Sequence, residues 1–205
     1  MSSGEIGLYG GTFDPPHFGH LNVAISMLEL AELEEVWWIP AWQNPHKSGV
    51  VQTDAHHRMQ MVRLMIADLP KFRVLPIECE RQELSYTFDT VNALLSDENK
   101  SPHPRPLRLI IGDDQLNLLI CWHRSRELLE MTQPLVARRL SSGPLKGVKD
   151  PIRERVEFVE TPIVEIHATE IRRRLARGEY CGHLVPAKVL DYIYTHRLYS
   201  SHKYE

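Results

Sequence analysis

Cysteine is scarce in this 205-residue chain. Its three cysteines, Cys79, Cys121 and Cys181, lie far apart in the sequence. They are too few for a disulfide framework, and their spacing lacks the close pairs of a zinc ribbon. The sequence therefore predicts a protein of the reducing cytoplasm.

Long apolar runs and an excess of basic charge are also missing. No apolar stretch approaches the roughly 18 residues of a membrane span, and the first residues lack the basic and apolar regions of a signal peptide. The chain has 24 Lys and Arg against 27 Asp and Glu, and its net charge of −3 excludes a protein that coats nucleic acid broadly. We therefore expect neither a membrane nor a nucleic acid as partner.

The composition is that of a globular protein, with 42% hydrophobic and 25% charged residues. The length predicts a single domain over residues 1–205, with a helical C-terminal part from about residue 167. Strand-like and helix-like segments alternate. The predicted strands are residues 6–9, 35–39, 72–77, 107–111, 135–137 and 163–166; the main predicted helices are 17–33, 54–69, 87–96, 169–177 and one with Pro186 in its first turn. This alternation predicts a parallel sheet with helices on both faces, which binds ligands at the carboxyl ends of its strands.

The strongest motif is Gly-Gly-Thr-Phe-Asp-Pro-Pro-His-Phe-Gly-His at residues 10–20. It follows a predicted strand and opens a helix, so its glycines allow close backbone approach and the helix N-terminus offers N–H groups to an anion. His17 and His20 share one helical face. Because residues 1–35 contain six acidic side chains and no Lys or Arg, backbone N–H groups and imidazoles would have to bind any phosphate here.

The residues alone leave two other interpretations of this motif open. It can be a plain glycine turn before a helix, or part of a zinc site for which His17 and His20 lack an evident third partner.

Further polar blocks follow other predicted strands or open helices. They are Pro45-His46-Lys47, Ser85-Tyr86-Thr87, Gly112-Asp113-Asp114-Gln115 with Trp122 behind it, and Thr169-Glu170-Ile171-Arg172. Each block also has an ordinary structural interpretation. Ser85-Tyr86-Thr87 can hold a carboxylate on its N–H groups or simply cap a helix.

Single residues of these blocks are equally open. Trp122 can stack on a flat ring or belong to the core. Asp114 can accept from a ribose hydroxyl or cap a helix. Lys47 can reach a phosphate or remain solvated, and Arg172 can reach one from the first turn of a basic helix.

Residues 10–20 resemble the signature of the nucleotidyltransferases with an H-x-G-H element, which have a Rossmann-like doubly wound fold. The other blocks together resemble the bacterial nicotinate-nucleotide adenylyltransferase family over nearly the whole chain. The resemblance implies that His17 and His20 are catalytic and orient the triphosphate. The implied ATP-binding residues are Gly10, Gly11, Thr12, Phe13, Gly112, Asp114, Thr169 and Arg172. The implied nicotinate-nucleotide-binding residues are Lys47, Tyr86, Thr87 and Trp122.

The resemblance further implies that ATP and nicotinate mononucleotide give deamido-NAD and pyrophosphate, in NAD biosynthesis. Mg²⁺ would be held mainly by the ATP phosphates, with no metal site made by the protein. A sister transferase using nicotinamide mononucleotide, phosphopantetheine or a cytidylyl donor, and a non-catalytic nucleotide sensor, are the alternatives. The sequence leaves the oligomeric state open, a homo-oligomer included.

The chain departs from the family pattern before its late helix. His167 and Ala168 stand where the family usually has two serines. We expect the helix N-terminus to bind phosphate without those hydroxyls.

Overall fold

The computed structural model describes residues 4–43, 52–116, 118–139 and 154–200. The strands are β1 (Ile6–Gly11), β2 (Glu35–Pro40), β3 (Phe72–Val74), β4 (Leu107–Gly112), β5 (Leu135–Arg139) and β6 (Glu157–Thr161). The helices are α1 (Phe18–Leu30), α2 (Ala55–Ile66), α3 (Ile77–Arg81), α4 (Thr87–Glu98), α5 (Asp113–Leu116), α6 (Ser125–Thr132), α7 (Ala168–Ala176) and α8 (Ala187–Thr195), with a 3₁₀ turn at Leu119–Cys121.

The six strands form one parallel sheet in the order β3-β2-β1-β4-β5-β6. In its centre, Leu8 of β1 lies opposite both Trp37 of β2 and Leu109 of β4. This order confirms the predicted Rossmann-like α/β class, and it reverses beside β1. A ligand crevice is therefore expected at the carboxyl ends of β1 and β4.

Alternating residues along the strands belong to two different hydrophobic clusters. Val36 and Trp38 join one cluster together with residues of α1, α2, α7 and α8, while Trp37 and Ile39 join a second one with residues of α4 and α6. The two clusters thus lie on opposite faces of the sheet, and both faces are covered. In the described part of the chain, no helix is long and apolar enough to cross a membrane.

The last predicted strand is wrong in position. Residues 163–166 form no strand; β6 precedes them and pairs with β5. Ile163 and Val164 are 44% and 41% exposed. The edge strand β6 was missed because it carries Glu157 and Glu160, so it lacks the apolar run that marks a strand buried on both faces.

The predicted strand over residues 72–77 is too long. Only Phe72–Val74 pairs with β2, and Pro76 then becomes the N-cap of α3. Proline has no N–H to donate to a neighbouring strand, so the pairing stops before it. The short helices α3 and α5, and α6, had no clear signal in the sequence.

Candidate active site

The turn between β1 and α1 places two histidines against each other at the carboxyl end of β1. His17 is the N-cap of α1, and its Nδ1 accepts from the backbone N–H of His20 (3.4 Å). His20 Nδ1 accepts in return from the backbone N–H of His17 (3.2 Å), and the two rings stack 3.6 Å apart. The pair forms a capping box built from imidazoles.

These two hydrogen bonds assign the proton on each ring. A nitrogen that accepts carries no proton, so in each neutral imidazole the donor is Nε2–H. Both donors belong to the first turn of a helix whose N-terminus favours anions. The arrangement can therefore donate hydrogen bonds to phosphoryl oxygens without any cationic side chain in the turn itself.

Burial keeps His17 in this neutral form. The side chain is 5% exposed, and burial, followed by the charge of His167, lowers the pKa of His17 from 6.5 to about 4. His17 therefore acts near neutral pH as a neutral donor and not as an imidazolium.

The lowered pKa predicts a pH-dependent stability. Between about pH 6.5 and pH 4 the unfolded chain binds a proton at His17 that the folded protein does not. The free energy of unfolding should therefore fall as the pH drops through this window, by up to about 3 kcal/mol, and should be unaffected by this group above it. His17→Asn keeps a capping side chain without a titrating ring. Urea unfolding of both proteins at pH 7 and pH 4.5 checks the prediction through the difference between them. Equal losses in the two proteins would contradict it.

The N-terminus of α7 meets this turn. Arg172 Nη1 donates to the carbonyl oxygen of Asp14 (2.7 Å), and its Nη2 donates to Thr169 Oγ1 (3.3 Å). His167 is the N-cap of α7 without a side-chain capping bond, and its ring is 66% exposed, 3.9 Å from Glu165. Two helix N-termini and one guanidinium thus lie around the same turn.

A cavity of about 100 Å³ opens between these elements. Its lining includes Thr12, Phe13, His20, Ala168 and Arg172, five of the residues at or beside the predicted ATP site. Gln52, which belongs to none of the sequence motifs, also lines it. Within the described residues, Thr12 Oγ1 and Gln52 Oε1 are buried without a hydrogen-bond partner. Such atoms favour a polar ligand over an apolar one.

The two glycines of the turn have different roles. A Cβ at Gly11 would meet the ring of Phe13 at 2.8 Å, so Gly11 is required for packing. A Cβ at Gly10 would meet nothing within 4 Å, so protein packing does not require that glycine. Gly10 instead leaves backbone open at the end of β1, where a ligand can approach.

Gly112 and Asp114 lie at the end of the neighbouring strand β4. Asp114 is exposed in the first turn of α5, and its carboxylate accepts from Gln115 Nε2 (3.1 Å). A Cβ at Gly112 would collide with this carboxylate. Burial, and then the charge of Asp114, raise the pKa of Tyr9. Asp114 therefore lies beside β1, and its role toward a ribose stays a prediction.

The predicted nicotinate-nucleotide residues form a second group. Tyr86 is the N-cap residue of α4, but its side chain makes no capping hydrogen bond. Thr87 is the first residue of this helix. The Tyr86 ring lies 5.0 Å from that of His123, which follows Trp122. Trp122 is half-buried against the second hydrophobic cluster, and its Nε1 is buried without a partner in the described chain. The sequence had not indicated His123, whereas Lys47 lies outside the described residues.

Arg58 connects the two groups. This buried guanidinium donates to the carbonyl oxygens of Thr12 (2.7 Å), Trp42 (3.0 Å) and Thr53 (2.8 Å). The backbone N–H of Trp42 donates to Ser85 Oγ (2.9 Å). The turn at the end of β1 is thus joined through Trp42 to the residue that precedes Tyr86.

The acidic side chain that lines the cavity, Asp14, is already hydrogen-bonded within the protein. The carboxylate of Asp14 accepts from Tyr199 Oη (2.6 Å) and from the backbone N–H of Thr53 (3.2 Å). Across the described ranges, no group of three or more His, Cys, Asp or Glu side chains is arranged to hold a metal ion.

Comparisons with known proteins place the chain in a family. The cytidylyltransferase-like family model matches residues 8–174. The nicotinate-nucleotide adenylyltransferase of Bacillus subtilis (strain 168) is 38% identical over 197 residues, 96% of this chain and 99% of that protein. A protein of Exiguobacterium sibiricum named "Probable nicotinate-nucleotide adenylyltransferase" is 41% identical over 199 residues, 96% of this chain and all of that protein.

A solved structure shares the fold. Plasmodium falciparum nicotinic acid mononucleotide adenylyltransferase complexed with NaAD superposes with a TM-score of 0.76 at 20% identity, covering 96% of this chain and 98% of that one. Sequence and fold thus agree over nearly the full length, and the chain belongs to the nicotinate-nucleotide adenylyltransferases, enzymes of the cytidylyltransferase-like family.

Proposed function

We propose that this enzyme joins ATP and nicotinate mononucleotide to give deamido-NAD and pyrophosphate. The observation that carries the proposal is one cavity at the β1–α1 turn, which His20 of the stacked His17–His20 pair lines together with Arg172 and Ala168 of the α7 N-terminus. This arrangement suits a triphosphate because its donors are backbone N–H groups, imidazole Nε2–H groups and one guanidinium.

The reaction requires no protein nucleophile. The attacking group is the phosphate of nicotinate mononucleotide, which is ionised at neutral pH. Its oxygen forms a bond to the α-phosphorus of ATP while the bond to the leaving pyrophosphate breaks. Catalysis then consists of aligning two anions and stabilising charge on the α-phosphate and the pyrophosphate. His20 and His17 donate to these oxygens, and Arg172 stabilises the leaving group.

Mg²⁺ neutralises triphosphate charge when it is bound. The cavity suits an ion held by phosphates and water, because the carboxylate of Asp14 is already occupied by Tyr199 and Thr53.

The pyridine nucleotide would bind at Tyr86, Thr87 and Trp122. The N-terminus of α4 has no side-chain cap, so its N–H groups and dipole are available to the nicotinate carboxylate. An amide at the same position presents an NH₂ that cannot accept from them.

A substrate panel tests the function. Pyrophosphate release is measured with ATP against nicotinate mononucleotide, nicotinamide mononucleotide and phosphopantetheine, and with CTP as donor. We expect ATP with the nicotinate form to give the highest kcat/KM. Equal values for acid and amide would contradict the assignment of the α4 N-terminus, and absence of pyrophosphate with every acceptor would indicate a sensor.

Trp122→Ala is expected to raise KM for the pyridine nucleotide more than KM for ATP. Stacking of an aromatic side chain on a nucleobase is worth about 1–3 kcal/mol, which corresponds to about 5- to 150-fold in affinity. Trp122→Phe keeps a stacking ring and is the matched control. A selective rise in KM for ATP would move Trp122 to the adenine side, and equal rises for both substrates would assign it to the core.

A further inference from the structure

A buried carboxyl group that the proposed reaction does not use lies beneath the start of α4. Glu78, on α3, is 6% exposed. Its Oε1 accepts from Thr90 Oγ1 (2.7 Å). Burial raises the pKa of Glu78, and hydrogen bonding to the carboxylate and the charges of Arg81 and Arg58 only partly offset this rise. A carboxyl group that is buried away from water needs hydrogen-bond partners, and it holds those partners in one position.

Ser85, just before α4, is held by the segment that follows β2. Its hydroxyl oxygen accepts from the backbone N–H of Trp42 (2.9 Å). The backbone N–H of Ser85 donates to the carbonyl oxygen of Gln43 (3.0 Å). The residue before Tyr86 is therefore fixed on one side of the turn, and the other side depends on how α4 is held.

Thr90 is the residue through which Glu78 holds α4. It lies in the first turn of α4, and its hydroxyl accepts from Arg81 Nη2 (3.4 Å) while it donates to Glu78. Ser85 and Thr90 bracket Tyr86 and Thr87, the residues proposed to receive the nicotinate group. Glu78 thus holds the α4 side of this turn, and Trp42 and Gln43 hold the side of Ser85.

We propose that Glu78 is a positioning residue that aligns the first turn of α4 for the nicotinate carboxylate and thereby sets the preference for acid over amide. This inference rests on the proposed function. Glu78 does not touch the substrate; its effect passes through Thr90 and the first N–H groups of α4. A loss of alignment should weaken binding of the carboxylate, since N–H···O bonds to a charged acceptor depend strongly on geometry.

The test is Glu78→Gln, which keeps the size of the side chain. The amide removes the negative charge, so the hydrogen bond that Thr90 donates to this side chain becomes a weaker neutral one. We expect KM for nicotinate mononucleotide to rise about tenfold, the effect of one weakened hydrogen bond to a charged group. KM for ATP should change less than about twofold, and the acid-to-amide ratio of kcat/KM should fall in parallel.

Two further variants make the result decisive. Glu80→Gln removes an exposed charge from the same helix and should leave both KM values unchanged. Thr90→Val keeps the β-branched shape of a residue that is 2% exposed and removes its hydroxyl. It should reproduce the effect of Glu78→Gln in the same direction, and it decides the question if Glu78→Gln does not fold.

The outcomes separate the two proposals. If the wild-type enzyme has no preference for the acid, the proposed function fails at this site. If the wild type prefers the acid but Glu78→Gln and Thr90→Val keep the full preference, or change KM for both substrates equally, Glu78 is only structural and the inference is overturned.

Discussion

His20→Ala is expected to lower kcat about 10²–10³-fold, the usual cost of removing one preorganised donor that stabilises transition-state charge. The structure gives the reason. The Nδ1 atom of His20 is occupied by the backbone N–H of His17, so Nε2–H is its donor at the edge of the cavity. The described turn around it contains no Lys or Arg that would replace this donor.

Steady-state kinetics and circular dichroism measure this effect with two controls. His20→Asn keeps a short acceptor for the His17 N–H and loses the distant donor, so it should fold and be nearly as slow as His20→Ala. His56→Ala removes an exposed imidazole on α2 and should retain wild-type turnover. A folded His20→Ala enzyme with near-normal kcat would show that His20 contacts no reacting phosphate.

The part of this site that the sequence predicted is the part formed by neighbouring residues. Gly10, Gly11, His17 and His20 follow one another at the junction of a strand and a helix, and that junction alone brings them together. The parallel strands then bring β4, and with it Asp114 in the helix that follows, beside β1. Helical spacing and strand order are local or general rules, so they can be derived from one sequence.

The part that the sequence did not predict depends on partners that are distant along the chain. Asp14 accepts from Tyr199, 185 residues away, and Arg172 donates to a backbone carbonyl 158 residues away. A backbone carbonyl partner cannot be recognised from the sequence, because every residue has a carbonyl oxygen. For this reason no structural role for Arg58, whose three partners are all carbonyls, could be derived from its place on a predicted helix.

Arg58→Met tests what this hidden contact contributes, and a large loss of stability is expected. The substitution keeps an unbranched side chain but leaves the carbonyl oxygens of Thr12, Trp42 and Thr53 without their donor. Each buried acceptor that loses its donor costs roughly 1–3 kcal/mol. We therefore expect the free energy of unfolding to fall by about 3–5 kcal/mol, a large share of the roughly 5–15 kcal/mol that stabilises a domain.

Urea unfolding with a constant m-value measures the loss, and Arg63→Met on the exposed side of the same helix is the matched control. The control should change the free energy of unfolding by no more than about 0.5 kcal/mol. Arg58→Lys should be about as unstable as Arg58→Met. The guanidinium donates to the three carbonyls from three different nitrogens, and a single ammonium group cannot reach all three. If Arg58→Lys were as stable as the wild type, charge alone would account for Arg58. The three-way hydrogen bonding would then not be what joins the β1 turn to Trp42.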